Sequence, residues 1–146
     1  MNVDRPLLGV VHLRPLPSSR GHRGMADVLA AAVADARTYA AGGFDGLVVE
    51  NFGDAPFHKG TAADPVPPDV VAGIAVAAAA VRDATGLPVA INCLRNDGMA
   101  ALGVAAVVDA RWVRVNVLAG AYVTDQGVIE GEAARLADYR TRLRRD

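Results

Sequence analysis

Residues 45–57 read DGLVVENFGDAPF. Gly46, Leu47, Val48 and Val49 form a short apolar run of the kind that is buried on both faces in a parallel sheet, and Glu50 and Asn51 end it with a carboxylate and an amide. Burying an unpaired amide costs about 1–3 kcal/mol, and an unpaired charge costs more. Where this strand ends, therefore, the two side chains need solvent, a partner group or a ligand. A site at the end of a parallel strand is the first expectation.

The same strand-then-helix pattern repeats on both sides of that stretch. A strand at Leu7 to His12 is followed by a Pro- and Gly-punctuated loop, Arg14 to Gly24. A helix is expected from about Ala26 to Ala40, because Val28, Leu29, Ala32, Val33, Ala36, Tyr39 and Ala40 recur at three- and four-residue steps and form one apolar stripe. Gly42 and Gly43 stop it. After the strand Asp45 to Glu50, Pro67 and Pro68 open a second helix with Asp69 in its first turn and Val70, Val71, Ile74, Ala78 and Val81 on its buried stripe. Gly86 and Pro88 end that helix, a third strand runs from Val89 to Cys93, and a short third helix begins near Asn96 or Asp97, either of which can cap it. A fourth strand, Trp112 to Asn116, leads through a Gly-containing loop to a last helix expected from about Glu130 to Arg145. The arginines at the end of that helix read as a solvated terminus favoured by the helix dipole.

Alternating strands and helices call for parallel pairing with right-handed crossovers, so this is an α/β chain. An open doubly wound sheet and part of a (β/α)8 barrel compete. The dinucleotide fold loses its best support because HLRPLPSSRGHRG, not a G-x-G-x-x-G loop, follows the first strand. A closed barrel takes about 250 residues and eight strands. Four βα units make half of one.

Side chains alternate faces along a strand, so parity sorts the polar residues. His12 lies with Leu8 and Val10, Glu50 with Gly46 and Val48, Asn92 with Ala90, and Arg114 and Asn116 with Trp112. If each of these faces is the barrel interior, His12, Glu50, Asn92, Arg114 and Asn116 converge near the C-terminal rim, where barrel enzymes place their chemistry. The loops add Arg95, Asn96 and Asp97 after the third strand and Thr124, Asp125 and Gln126 after the fourth. Each carries a structural alternative: Asn96 or Asp97 as a helix cap, Thr124 to Gln126 as a turn, Arg114 as a structural partner of Glu50, and His12 as a hydrogen-bonded core residue. Glu50, Asp54 and His58 are conceivable ligands for a divalent metal, but no spacing-defined metal motif is present, and no metal or cofactor is assigned.

Composition narrows the function classes. With 146 residues and 52% hydrophobic content the chain can bury one sizeable core, and a formal net charge of −1 gives no electrostatic footprint for nucleic acid. Lys59 is the one lysine among fifteen Lys and Arg residues, which reads more readily as coding bias than as a demand for bidentate anion contacts. A single cysteine, Cys93, excludes an intramolecular disulfide and fits a reducing compartment, so a cytoplasmic location is expected. The apolar run after Asp4 and Arg5 is too short for a signal-peptide core, and no stretch approaches the ~20 apolar residues of a membrane span. Peripheral membrane contact stays open.

Four motifs, GVVHLRPLP (9–17), DGLVVENFGDAPF (45–57), INCLRND (91–97) and RVNVLAGAYVTDQGVIEG (114–131), resemble the BtpA family in order and spacing over nearly the whole chain. The resemblance implies a TIM-like barrel, of which residues 1–146 would be the N-terminal part, in the cytoplasm or peripheral to the inner side of a membrane. It also implies either a role in photosystem I biogenesis, from which the family takes its name, or an enzyme of sugar metabolism, as for its SgcQ-like members. No settled catalytic residues come with it; the motif positions are His12, Glu50, Asn51, Asp54, Asn92, Arg95, Asn96, Asp97, Arg114, Asn116, Asp125 and Gln126. The family barrel continues beyond the point where this chain stops.

The functional expectation is a site for a small polar or phosphorylated ligand, a sugar or nucleoside derivative. Glu50 and His12 exchange protons, and Asn51, Asn92, Arg95, Asp97, Arg114, Asn116, Asp125 and Gln126 bind substrate. The competing expectations are a non-catalytic assembly or stability factor for photosystem I and an inactive truncated fragment. A half-barrel leaves its first and fourth strands as open edges, so self-association is also expected.

Overall fold

The structure is a computed structural model that describes residues 4–145. Four strands, β1 (Leu8–His12), β2 (Gly46–Glu50), β3 (Val89–Asn92) and β4 (Trp112–Arg114), form one sheet in the order β1-β2-β3-β4 with every neighbour parallel. The helices α1 (Met25–Ala41), α2 (Pro68–Thr85) and α3 (Gly98–Val108) follow β1, β2 and β3, and α4 (Ala133–Arg142) closes the chain. Consecutive helices pack on one another, α1 on α2, α2 on α3 and α3 on α4. No helix among the described residues is long and apolar enough to cross a membrane.

The core lies between one face of the sheet and the first three helices. Val11, Leu47, Val49, Val89 and Ile91 point into it and meet Val28, Ala32 and Ala36 of α1, Ile74, Ala78 and Val81 of α2 and Ala101, Val104 and Val108 of α3. The helical stripes are built largely of alanine, which brings helices close to the strands. Gly9 serves the same end: the Tyr39 ring of α1 occupies the space a Cβ there would need, 2.6 Å away, and its hydroxyl donates to the Val10 carbonyl at 3.1 Å. A doubly wound sheet carries helices on both faces. Here the face bearing Leu8, Val48, Ala90 and Trp112 is free of α1 and α2, and a groove of about 600 Å³ runs from it past Val113 and Val115 to Leu102 of α3 and to Leu136 and Arg140 of α4. The sheet is open, with β1 and β4 as its edges.

Several boundaries differ from the sequence expectation, and three of them bear on the site. Strand β4 stops at Arg114 and β3 at Asn92, which leaves Asn116 and Cys93 just beyond the sheet. Residues expected as loop and helix start form an antiparallel hairpin instead, β5 (Ala121–Thr124) with β6 (Gly127–Glu130), so Glu130 belongs to a strand and α4 begins three residues later than expected. The cause is local. Gly131 sits against the Leu118 carbonyl, where a side chain does not fit, and this pinches the hairpin shut before the helix starts.

Candidate functional site

Parallel pairing puts the four strand ends in one row: His12 pairs with Glu50, Glu50 with Asn92, and Asn92 with Arg114. All four residues have the parity of the helix-free face. The Glu50 carboxylate is the centre of this row and is only 4% exposed. Its Oε2 accepts from Asn92 Nδ2 at 2.5 Å and from Arg114 NH1 at 3.0 Å, while His12 Nε2 lies 3.4 Å from Oε1. A buried carboxyl group needs polar partners, and this one has three. The His12 and Arg114 side chains, by contrast, are about half exposed, at 50% and 54%, so both present polar groups to solvent beside the buried acid.

The loops after the strands extend the row. Asn116 accepts from Asn92 at 3.4 Å and donates to the Arg95 carbonyl at 3.0 Å, while the Arg95 guanidinium reaches Asp125 at 3.1 Å. Gln126, next in the hairpin turn, donates to the Phe57 carbonyl at 2.6 Å, and Arg95 stands over the Phe57 ring at 5.4 Å. Phe57 neighbours Phe52, with ring centroids 6.4 Å apart, and Phe52 stacks on His12 at 4.3 Å. Those contacts return to Glu50. They form a circuit whose one side is carboxylate, amide and guanidinium and whose other side is aromatic. Thr124 shapes the turn, accepting from Gln126 N at 3.1 Å and donating to the Gly127 carbonyl at 2.8 Å.

Other motif residues are turned to the backbone. Asn51 accepts from Leu94 N at 2.7 Å and donates to Asp54 at 3.1 Å, and Asp54 accepts from Leu16 N at 2.8 Å. Asp97 caps α3 by accepting from Ala100 N at 2.8 Å and also takes Val66 N at 3.2 Å. Asn96 clasps Val117, donating to its carbonyl at 3.1 Å and accepting from its N–H at 2.8 Å. These four buried side chains lock the loops after β1, β2, β3 and β4 to one another, and so hold the row in place. Asn51, Asp54 and Phe57 also line a cavity of about 220 Å³ whose wall includes Ser18, Arg20 and His58.

Glu50, Asp54 and His58 do not gather round one point. Asp54 is engaged by Leu16 and Asn51, and His58 lies 2.7 Å from Asp64, whose carboxyl is held below its ordinary range by the Lys59 N–H and by His58. No group of three or more His, Cys, Asp or Glu suited to a metal occurs among the described residues. Burial, with Asp97 and Asp54 nearby, pushes the Cys93 thiol far up, so it stays protonated and packs as an apolar residue. Sequence reasoning passed over Phe52 and Phe57. Two aromatics within seven residues of Glu50, in a loop rich in Gly and Pro, were the available signal.

A one-sided parallel α/β sheet with a polar row at its C-terminal edge defines the class of protein. The chain belongs to the BtpA family, whose model matches residues 3–146. It is 51% identical over 140 residues to an uncharacterized protein of Thermococcus kodakarensis, covering 95% of this chain and 52% of that one. It is 46% identical over 142 residues to the Photosystem I biogenesis protein BtpA of Synechocystis sp., covering 97% and 48%. An uncharacterized mitochondrial protein of Caenorhabditis elegans is 30% identical over 155 aligned positions, covering 99% and 53%. The chain spans about half the length of the curated relatives it matches. No solved structure matches.

Proposed function

We propose that the chain is half of a TIM-like (β/α)8 barrel whose C-terminal rim binds a small polar metabolite, a sugar or nucleoside derivative carrying an anionic group, for acid–base chemistry. The carrying observation is the row His12, Glu50, Asn92, Arg114, aligned strand by strand with a buried carboxylate at its centre. A sheet face free of α1 and α2, and strand ends that carry the polar groups, favour a barrel segment over a doubly wound sheet. In this reading Glu50 is the general base or acid, and His12 hands its proton to or from solvent. Arg114 offers its exposed N–H groups to the anionic part of the ligand while one of them steadies Glu50. Asn92 and Asn116 orient hydroxyls, and Arg95, Asp125 and Gln126 close the rim. Asn51 and Asp97 act from behind, by fixing the loops.

Thermal-shift measurements with a panel of phosphosugars and nucleosides test this. A ligand at a hundredfold excess over its Kd adds about 2.7 kcal/mol to stability. The expected result is a rise in Tm for at least one compound, lost in both Glu50→Gln and Arg114→Ala. If no compound shifts the wild-type chain, or if both variants respond as it does, the reading fails.

A second reading, an assembly or stability factor for photosystem I, draws on the name of the Synechocystis relative. Against it stands the match to a nematode protein, since an animal has no photosystem to assemble. A metabolic role is the reading common to both hosts.

A further inference from the structure

Among the described residues, two buried side-chain polar atoms have no hydrogen-bond partner: Arg95 Nε and Gln126 Oε1. They belong to one junction. Arg95 comes from the loop after β3 and Gln126 from the β5–β6 turn, and both touch Phe57, Arg95 through its ring and Gln126 through its carbonyl. One orphan is a donor and the other an acceptor. Buried polar atoms are almost always paired, so a donor and an acceptor left over on two loops that share Phe57 as a neighbour invite a group that accepts and donates at once. A hydroxyl does both.

The hairpin that carries Gln126 is lightly held. Of its apolar side chains Ile129 is buried, while Tyr122, Val123 and Val128 are exposed at 64%, 86% and 49%. Its tip is fastened by the Arg95–Asp125 pair and the Gln126–Phe57 bond, both polar and both on loops of the candidate site. Segments with few buried apolar contacts open at low cost. The Arg95 and Gln126 atoms are covered with the tip in this position, so a ligand would reach them only if the tip lifted.

We propose that the β5–β6 hairpin is a clamp, and that its junction with Arg95 is a subsite for one neutral hydroxyl of the ligand, which would accept from Arg95 Nε and donate to Gln126 Oε1. This rests on the small-ligand reading above and adds to it a residue pair that discriminates between ligands. In the contact circuit Arg95 is joined to Glu50 through Asn116 and Asn92 rather than directly, so the hydroxyl taken here is a different one from that beside Glu50. A site that hydrogen-bonds a substrate hydroxyl rejects the analogue that lacks it, because the polar groups are then left unpaired.

The test is isothermal titration of the full chain with glucose 6-phosphate, ribose 5-phosphate and their monodeoxy analogues. It is run on wild type, Gln126→Met and Glu50→Gln. In wild type one particular deoxy position should weaken binding about tenfold or more, equivalent to 1.4 kcal/mol. In Gln126→Met the parent sugar phosphate should bind as weakly as that deoxy analogue, with the preference between the two abolished. A merely structural role for Gln126 would instead weaken every compound alike and leave the preference intact. That result overturns the clamp subsite, as does a Gln126→Met variant that binds the whole series as wild type does. If sugar phosphates bind wild type and depend on Glu50 while Gln126→Met keeps the preference, the small-ligand reading stands and the clamp alone is lost. If nothing binds wild type, both are lost.

Discussion

At the scale of single residues, the motif positions divide by where their polar atoms are spent. Glu50, His12 and Arg114 face one another with exposed neighbours at hand, whereas Asn51, Asp54, Asn96 and Asp97 are consumed by backbone groups. Asp97→Ala removes the cap of α3 and strands the Val66 N–H, so urea denaturation should show a loss of about 1–3 kcal/mol. A loss within experimental scatter of zero would mean that the cap is dispensable. Asp64 carries a pH dependence of its own. Its carboxyl is held below its ordinary 3.8 first by the Lys59 N–H and then by His58, both of which favour the charged form. A depressed acid contributes stability that is present above the unfolded value and is lost as pH falls through the folded one. Thermal melts below about pH 4 should therefore lose less in Asp64→Asn than in the native chain, and parallel acid limbs would contradict this.

Elements were legible where a period was imposed by burial on one side. The α1 and α2 stripes follow from spacing because each has a single face against the core, the buried strands β2 and β3 follow from their short apolar runs, and parity alone aligns His12, Glu50, Asn92 and Arg114. The β5–β6 hairpin was illegible for the converse reason: Tyr122, Val123 and Val128 are exposed, so no burial pattern marks it. The rim contacts of Arg95, Phe52 and Phe57 depend on two loops meeting at the end of β1, which strand parity does not encode. Helix-to-strand spacing is set by individual glycines. Gly9→Ala would press a methyl group into the Tyr39 ring, and overpacking of this kind costs typically 1–3 kcal/mol. The double variant Gly9→Ala, Tyr39→Leu should recover part of that loss in equilibrium unfolding, and the absence of any recovery would locate the clash elsewhere.

For the whole molecule, the decisive quantity is what lies along the two edges of the sheet. Strands β1 and β4 each present one unpaired side, and exposed edges template pairing with another chain. Because all four strands are parallel, the β4 edge of one copy can take the β1 edge of a second in the same sense, and a two-fold axis along the strands would bring eight strands together. Each polar row would then continue into its partner's row, with Arg114 of one copy followed by β1 of the next. On this ground we expect the 146-residue chain to self-associate, and light scattering during size-exclusion chromatography should report a mass twice that of the 15.1 kDa chain. Its Tm should also rise with protein concentration, as mass action requires when association stabilises the folded state. Leu8, 37% exposed on the helix-free face of the β1 edge, offers the control: Leu8→Lys would place a charge in the seam and should shift the mass toward one chain. A native chain that runs at one-chain mass at every concentration, with a Tm independent of dilution, would end the idea of a second copy at these edges.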